Sequence, residues 1–220
     1  MVMVAGRTRR NEQVSSTREA LLSVAERLFA ERGVHAVANR QISEAAGQGN
    51  NAAIAYHFGT KADVVGAIVR KHAGRMEQDR ARMVAAAGDS TELQDWVACA
   101  VRPVTGHLES LGVPSWYARF FAQVATDPAL DMVTAEAFYS VSPSLGRLRD
   151  GLERCMPDLP PEVRVERGAM TRHLITQMCV ERERALSENV VTPRATWHEA
   201  ATGLVDAIVA LWGAPVTPEV

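Results

Sequence analysis

The chain is poor in lysine, in cysteine and in aromatic residues, and it has no long apolar run. Lysine occurs only at positions 61 and 71, so a polyanion would have to be met largely by arginine. The three cysteines, Cys99, Cys155 and Cys179, are odd in number and widely spaced, with no CxxC among them. That pattern excludes a disulfide framework and a zinc ribbon, and fits reduced thiols in a cytoplasmic protein. No apolar stretch reaches membrane-spanning length, and Asp206 interrupts the best candidate, Gly203 to Trp212. The opening MVMVAGRTRR has no long apolar core ahead of a cleavage site, so no secretory signal is expected. No segment of useful length alternates apolar and polar residues with β-branched enrichment, which argues against a sheet. Internal repeats and low-complexity tracts are also missing.

Chemistry is missing as well. There is no HExxH, no phosphate loop and no nucleophile elbow. The GxG at 47–49 follows a helical pattern rather than a strand. Glu181 and Glu183 alternate with Arg182 and Arg184 and read as a solvated helix face. These absences point away from an enzyme, and no cofactor or metal is expected.

What is present is a globular composition with an uneven charge. Of 220 residues, 47% are apolar, too many for a disordered chain. The net charge of −2 hides an asymmetry: residues 1–82 hold 13 Lys and Arg against 8 Asp and Glu, whereas residues 83–220 hold 11 against 18. A basic N-terminal part joined to an acidic remainder suggests nucleic-acid contact at one end, with ordinary surface variation as the competing explanation.

Helical periodicity runs throughout, so the fold class expected is all-α. Residues 1–13, with Arg7, Arg9 and Arg10, read as a flexible basic arm or a solvated tail. A first helix is predicted from about Thr17 to Arg32, with Ser16 and Glu19 as a capping box and Leu21, Val24, Ala25, Leu28 and Phe29 on its apolar face. Gly33 is placed to end it in a left-handed cap. Short helices follow at about 39–46, with Ile42, Ala45 and Ala46 facing inward, and at 50–58, anchored by Ile54 and Phe58. Thr60 with Asp63 caps a helix reaching about Ala87. Later spans are 91–111, kinked or split by Pro103, then 114–126, 129–155 with a break near Pro143, 161–187 and 193–212. The domains expected are a DNA-binding domain at 14–72, a larger helical domain at 73–213 and a tail at 214–220.

The stretch Gln41 to Asp63, QISEAAGQGNNAAIAYHFGTKAD, has the layout of a helix-turn-helix: short helix, glycine turn, second short helix, capped start of a third. With the preceding TREALLSVAERLFAERG, it resembles the N-terminal domain of the TetR family of bacterial transcriptional regulators over roughly Thr17 to Arg70. The resemblance implies that the helix at 50–58 enters the major groove. Asn50 and Asn51 can donate and accept together, which suits adenine, and Gln48 offers the same chemistry. Arg40 matches a family position that reaches a base or phosphate, and Tyr56, His57, Thr60 and Lys61 match positions that hold the phosphate backbone. Each has a plainer rival: Tyr56 as core cover, His57 as a local hydrogen-bonding residue, Asn50 as the helix cap and Gln48 as a turn residue. Two departures from the family pattern stand out. The GQGNN turn is one residue longer, and Ala55 stands where tyrosine is common, though it could still touch a thymine methyl.

The resemblance further implies a dimerising, ligand-binding C-terminal domain. The last helix carries Trp197, Ala201, Leu204, Ile208 and Leu211 on an apolar face, and the helix before it carries Met170, Leu174 and Met178. Paired with their symmetry mates these would form a four-helix homodimer interface, or they could bury one another within a monomer. Trp116, Phe120, Phe121, Met132, Phe138 and Tyr139 concentrate scarce aromatic and methionine side chains and read either as a wall for an apolar effector or as core. Trp96, Cys99, Arg119, Arg172 and His173 are the candidate adaptable or polar contacts. The partners expected are an operator duplex, a small-molecule effector and a second copy of the chain. Two rivals stay open, an all-helical enzyme and a binding module of the same fold that has lost its operator.

Overall fold

The first proline of the chain is Pro103, and no glycine lies between Gly6 and Gly33. Nothing in that segment breaks a helix. In the computed structural model, which describes residues 2–49 and 52–217 with side chains from Gln13 onward, a single helix α1 (Val2–Arg32) runs through it. The basic arm expected up to residue 13 is therefore helical backbone. Ser16 and Glu19 lie within the helix and are not its capping box. Gly33 ends α1 with φ of +87°, its amide bonded to the Phe29 carbonyl at 2.9 Å.

The other helices are α2 (Asn39–Ala45), α3 (Ala53–His57), α4 (Lys61–Ala87), α5 (Leu93–Leu111), α6 (Tyr117–Val124), α7 (Asp131–Tyr139), α8 (Leu145–Cys155), α9 (Pro161–Ser187) and α10 (Trp197–Gly213). No strand occurs among the described residues, and the class is all-α as expected. The break near Pro143 separates α7 from α8. Pro103, expected to kink or split its helix, lies inside an uninterrupted α5. An interior proline costs about 3 kcal/mol, and here the helix is held by a buried face that packs along α10.

The chain divides into two compact units. One comprises Met1–Arg70 and Arg119–Ala137. Its core takes Leu21, Ala25, Leu28 and Phe29 from α1, Ile42 from α2, Ile54 from α3 and Val64, Val65 and Ile68 from α4, all buried. Residues 119–137, read from sequence with the C-terminal region, pack here. Phe120 stacks on Phe29 at 6.2 Å, Gln123 donates to the Ala30 carbonyl at 3.0 Å, and His35 bonds Asp127 at 2.5 Å. In α2 the inward residues are Ile42 and Ser43, and Ala45 faces out. In so short a helix the buried arc is narrow and centres between those two neighbours.

The second unit comprises Lys71–Ala118 and Phe138–Val220. Val97 and Val101 of α5 meet Ala201, Leu204, Val205, Ile208 and Trp212 of α10. Each fully buried aliphatic side chain contributes roughly 1.5–3 kcal/mol. A second cluster gathers Val84, Trp96, Cys99 and Leu148, and Gly151 of α8 lies against the Trp96 ring. The expectation of a solvated face at 181–184 fails for Arg182 and Glu183, which are buried. Arg182 donates to the carbonyls of Arg194 and Ala195 at 2.8 and 3.0 Å, and Glu183 accepts from the Ser115 hydroxyl and the Ala118 amide at 3.0 and 3.1 Å. Charge alternation in sequence does not follow the 3.6-residue period, so two adjacent charges turned inward, Arg182 to satisfy the carbonyls of the loop before α10 and Glu183 to cap the first turn of α6.

Candidate nucleic-acid interface

The turn between α2 and α3 is built from backbone bonds. Gly47 has φ of +69°, its amide donates to the Glu44 carbonyl at 3.0 Å, and the Gln48 amide donates to Ser43 at 2.9 Å. This is a Schellman closure, and it needs the left-handed residue that glycine supplies. α3 closes in turn at Gly59, with φ of +93° and its amide on the Ala55 carbonyl at 3.1 Å. The predicted cap follows at once. The Thr60 amide and hydroxyl both donate to Asp63 Oδ2, at 2.8 and 2.6 Å, and the Asp63 amide donates back to Thr60 Oγ1 at 3.2 Å. The hydroxyl bond, then the amide bond, hold the Asp63 carboxyl below its ordinary pKa.

Within this frame Arg40, Ala55, Tyr56 and Thr60 are exposed, and Gln48, His57 and Lys61 are half-buried. Ala55 is exposed, and Tyr56 leaves 76% of its surface open, which removes the core-cover reading for it. The His57 ring is half-buried and meets the Tyr56 ring edge-on at 4.9 Å. Arg40 is exposed on α2, with Nε donating to Glu44 Oε1 at 2.6 Å. That bond is the main reason its pKa is raised. Gln48 is half-buried, its side-chain amide reaching the Ala46 carbonyl at 3.4 Å. Thr60 is exposed. Lys61 Nζ donates to the Val34 carbonyl at 3.0 Å, tying the start of α4 to the loop after α1. Asn50 and Asn51 lie outside the described residues.

Sequence reasoning missed Arg18. Its Nη1 donates to the His57 carbonyl at 2.5 Å, and its guanidinium lies over the Phe58 ring at 4.1 Å. Helical spacing from Leu21, Leu22 and Ala25, all buried, sets Arg18 at the rim of the apolar face, and that was the available signal.

The residues proposed for the effector wall disperse. Phe120 is core of the first unit, and Met132 and Tyr139 are 80% and 67% exposed. His173 is exposed, Trp116, Phe121 and Phe138 are half-buried, and Trp96 and Cys99 are buried in the second unit's core. Sequence reasoning also missed that unit's buried polar chain. Glu77 bonds Arg80 at 3.1 Å and Ser144 at 2.7 and 2.8 Å, and the Arg80 guanidinium lies 5.7 Å from the Phe138 ring centre. His72 meets His107 at 2.7 Å and stacks on Tyr117 at 3.9 Å. Of the dimer candidates, Trp197, Ala201, Leu204 and Ile208 are buried inside the unit, Leu174 and Leu211 are half-buried, and Met170 and Met178 are exposed. A groove of about 580 Å³ between α9 and α10 is lined by Leu174, Met178, Trp197, Gly203, Leu204 and Ala207, among others, and by none of the predicted effector residues.

Comparison with known proteins agrees with this geometry. The family model for bacterial regulatory proteins of the tetR family matches residues 21–68. No curated protein sequence matches the chain. Among solved structures, a candidate tetR family transcription regulator from a Shewanella species superposes with a TM-score of 0.58 at 15% identity, covering 90% of this chain and 96% of that one. The TetR family transcriptional regulator PfmR of Thermus thermophilus gives 0.50 at 14% identity, covering 91% and 97%. A further candidate regulator of this family, from a Rhodococcus species, gives 0.50 at 15% identity over 90% and 99%. At such identities the likeness is one of fold.

Proposed function

We infer that this chain, a TetR-family protein through its residues 21–68, is a ligand-responsive repressor that binds a pseudo-palindromic operator as a homodimer. The observation that carries the DNA-binding part is the outward face of α2 and α3. Arg40, Ala55, Tyr56 and Thr60 stand exposed on a three-helix frame whose inner face is fully buried. In our assignment Arg40, Gln48, Asn50, Asn51 and Ala55 meet base edges, and Tyr56, His57, Thr60 and Lys61 meet phosphates. Arg40 shares its charge with Glu44, so base reading falls to its two terminal nitrogens.

Dimerisation is assigned to α9 and α10, where Met170 and Met178 leave 41% and 50% of their surface open and Met178 lines the groove with Leu174 and Ala207. A two-fold dimer sets its recognition helices in successive major grooves, ~34–36 Å apart or somewhat more. Blocking a promoter then gives repression. The effector is assigned to the second unit, where Cys99 and Phe138 lie by the buried Arg80. Its power to release DNA is bounded by its preference for one dimer geometry over the other.

The test is selection of a randomised duplex library on the full chain, then anisotropy titrations of the enriched duplex at several salt concentrations. We expect an enriched pseudo-palindrome, binding that weakens steeply with salt, and a log–log slope reduced by about one in Lys61→Ala. Failure to enrich any sequence over random duplex would remove sequence-specific repression.

A further inference from the structure

α3 has five residues, too few to be stable without outside support. Its N-cap, Ala52, makes no side-chain cap bond, and its buried residues, Ala53 and Ile54, fix only its first turn. At its other end the last carbonyls have no partner within the helix. Arg18 meets that end. It rises from α1 just ahead of the buried Leu21, Leu22 and Ala25, so its backbone is anchored in a long helix. Its guanidinium donates through Nη1 to the His57 carbonyl at 2.5 Å and covers the Phe58 ring at 4.1 Å. A planar guanidinium can do both at once, bonding in its plane and stacking through its face, whereas an ammonium cannot. A cation also suits the negative end of a helix.

We propose that Arg18 is a positioning residue for DNA recognition: it clamps the C-terminal end of α3 onto α1 and so sets the angle at which Ala55 and Tyr56 are presented. This rests on the DNA-binding function proposed above. Arg18 acts through His57 and Phe58 and does not itself touch the duplex. The contending role, a direct phosphate contact from an exposed arginine, makes different predictions. A phosphate contact is served nearly as well by lysine and adds to the salt dependence. A clamp requires the flat fork and leaves the salt dependence alone.

Four variants of the full chain separate the two: Arg18→Lys, Arg18→Met, Phe58→Leu and the Arg18→Met/Phe58→Leu pair. On the duplex enriched by the wild-type chain, Arg18→Lys and Arg18→Met should each lose roughly tenfold in affinity with the salt slope unchanged. The double variant should lose no more than the worse single one, since both remove the same contact. Lysine restoring the affinity, a slope lowered by about one in Arg18→Met, or additive losses in the pair would each overturn the clamp. Amide hydrogen exchange without DNA provides a readout independent of the operator. The Phe58 and Gly59 amides, bonded to Ile54 and Ala55, should exchange faster in both Arg18 variants. The Ala46 amide of α2, bonded to Ile42, should not change. Unaltered exchange at Phe58 and Gly59 would overturn the clamp even if no duplex were enriched, and a wild-type chain that enriches nothing while its Arg18 variants loosen α3 would count against the DNA function alone.

Discussion

Single side chains in this molecule are placed mainly by the backbone groups they satisfy. Arg167 shows the rule: buried in α9, it donates to the carbonyls of Trp212 and Ala214 at 2.8 and 2.7 Å and closes the end of α10. His107 shows its cost in titration. Burial first, then His72 and Arg75 nearby, push its pKa down to about 4, against the partial opposition of Asp79. The sign follows directly. Between the unfolded value near 6.5 and the folded value, the unfolded chain holds a proton that the native state refuses. Stability from this group is therefore complete above about pH 6.5 and is lost progressively as pH falls toward 4. Thermal unfolding followed from pH 7 to 4.5 should show a steeper fall in Tm for the wild type than for His107→Gln, and parallel curves would remove His107 as the cause. None of this was legible in sequence, because His72 and His107 are far apart in the chain and neither spacing nor neighbours link them.

Among elements, several boundaries were legible from local signals, although the Thr196–Glu199 capping box that starts α10 at Trp197 was passed over for a start at Pro193. Gly33, Gly47, Gly59 and the Thr60–Asp63 pair each stop or start a helix where the sequence placed them. The start of α1 was misjudged because a capping pattern at Ser16 and Glu19 carries no weight once the preceding residues stay helical. The approach of α8 to α5 was also invisible. A Cβ built at Gly151 would stand 2.3 Å from the Trp96 ring, whose Nε1 is fixed by the Ser90 carbonyl at 2.9 Å. Gly151→Ala should thus be destabilising by about 1–3 kcal/mol, through overpacking rather than lost helix propensity. Urea unfolding monitored by tryptophan fluorescence checks it. An unchanged midpoint would mean that α8 moves aside without strain.

At the scale of the whole molecule, the all-α class and the helix-turn-helix were legible because they rest on contiguous motifs. The grouping of residues 119–137 with the N-terminal unit was not, since it depends on pairings such as Phe29 with Phe120 that no local pattern encodes. The predicted apolar face of α10 lies largely buried within the unit, whereas that of α9 does not: Leu174 is half-buried, Met170 and Met178 are exposed, and α9 instead buries Arg167, Cys179, Val180, Arg182 and Glu183. Ile208 is wholly buried, whereas Met178 is half open. If the open part of the face joins two copies, Met178→Glu should leave the fold intact and weaken self-association by about 3 kcal/mol, roughly two orders of magnitude. Ile208→Glu should unfold the unit instead. Sedimentation velocity with circular dichroism distinguishes these outcomes, and a stable dimer of Met178→Glu would move the interface elsewhere.

The two left-handed glycines at 47 and 59 have a consequence for engineering. They bound the α3 segment with closures made from backbone bonds, so neither closure depends on the identity of the residues that point outward between them. The exposed positions there, Ala52, Ala55 and Tyr56, can be varied as a cassette, while Ala53, Ile54 and both glycines are kept as the chassis. A library confined to those exposed positions would vary the outward surface of this segment without redesigning its core.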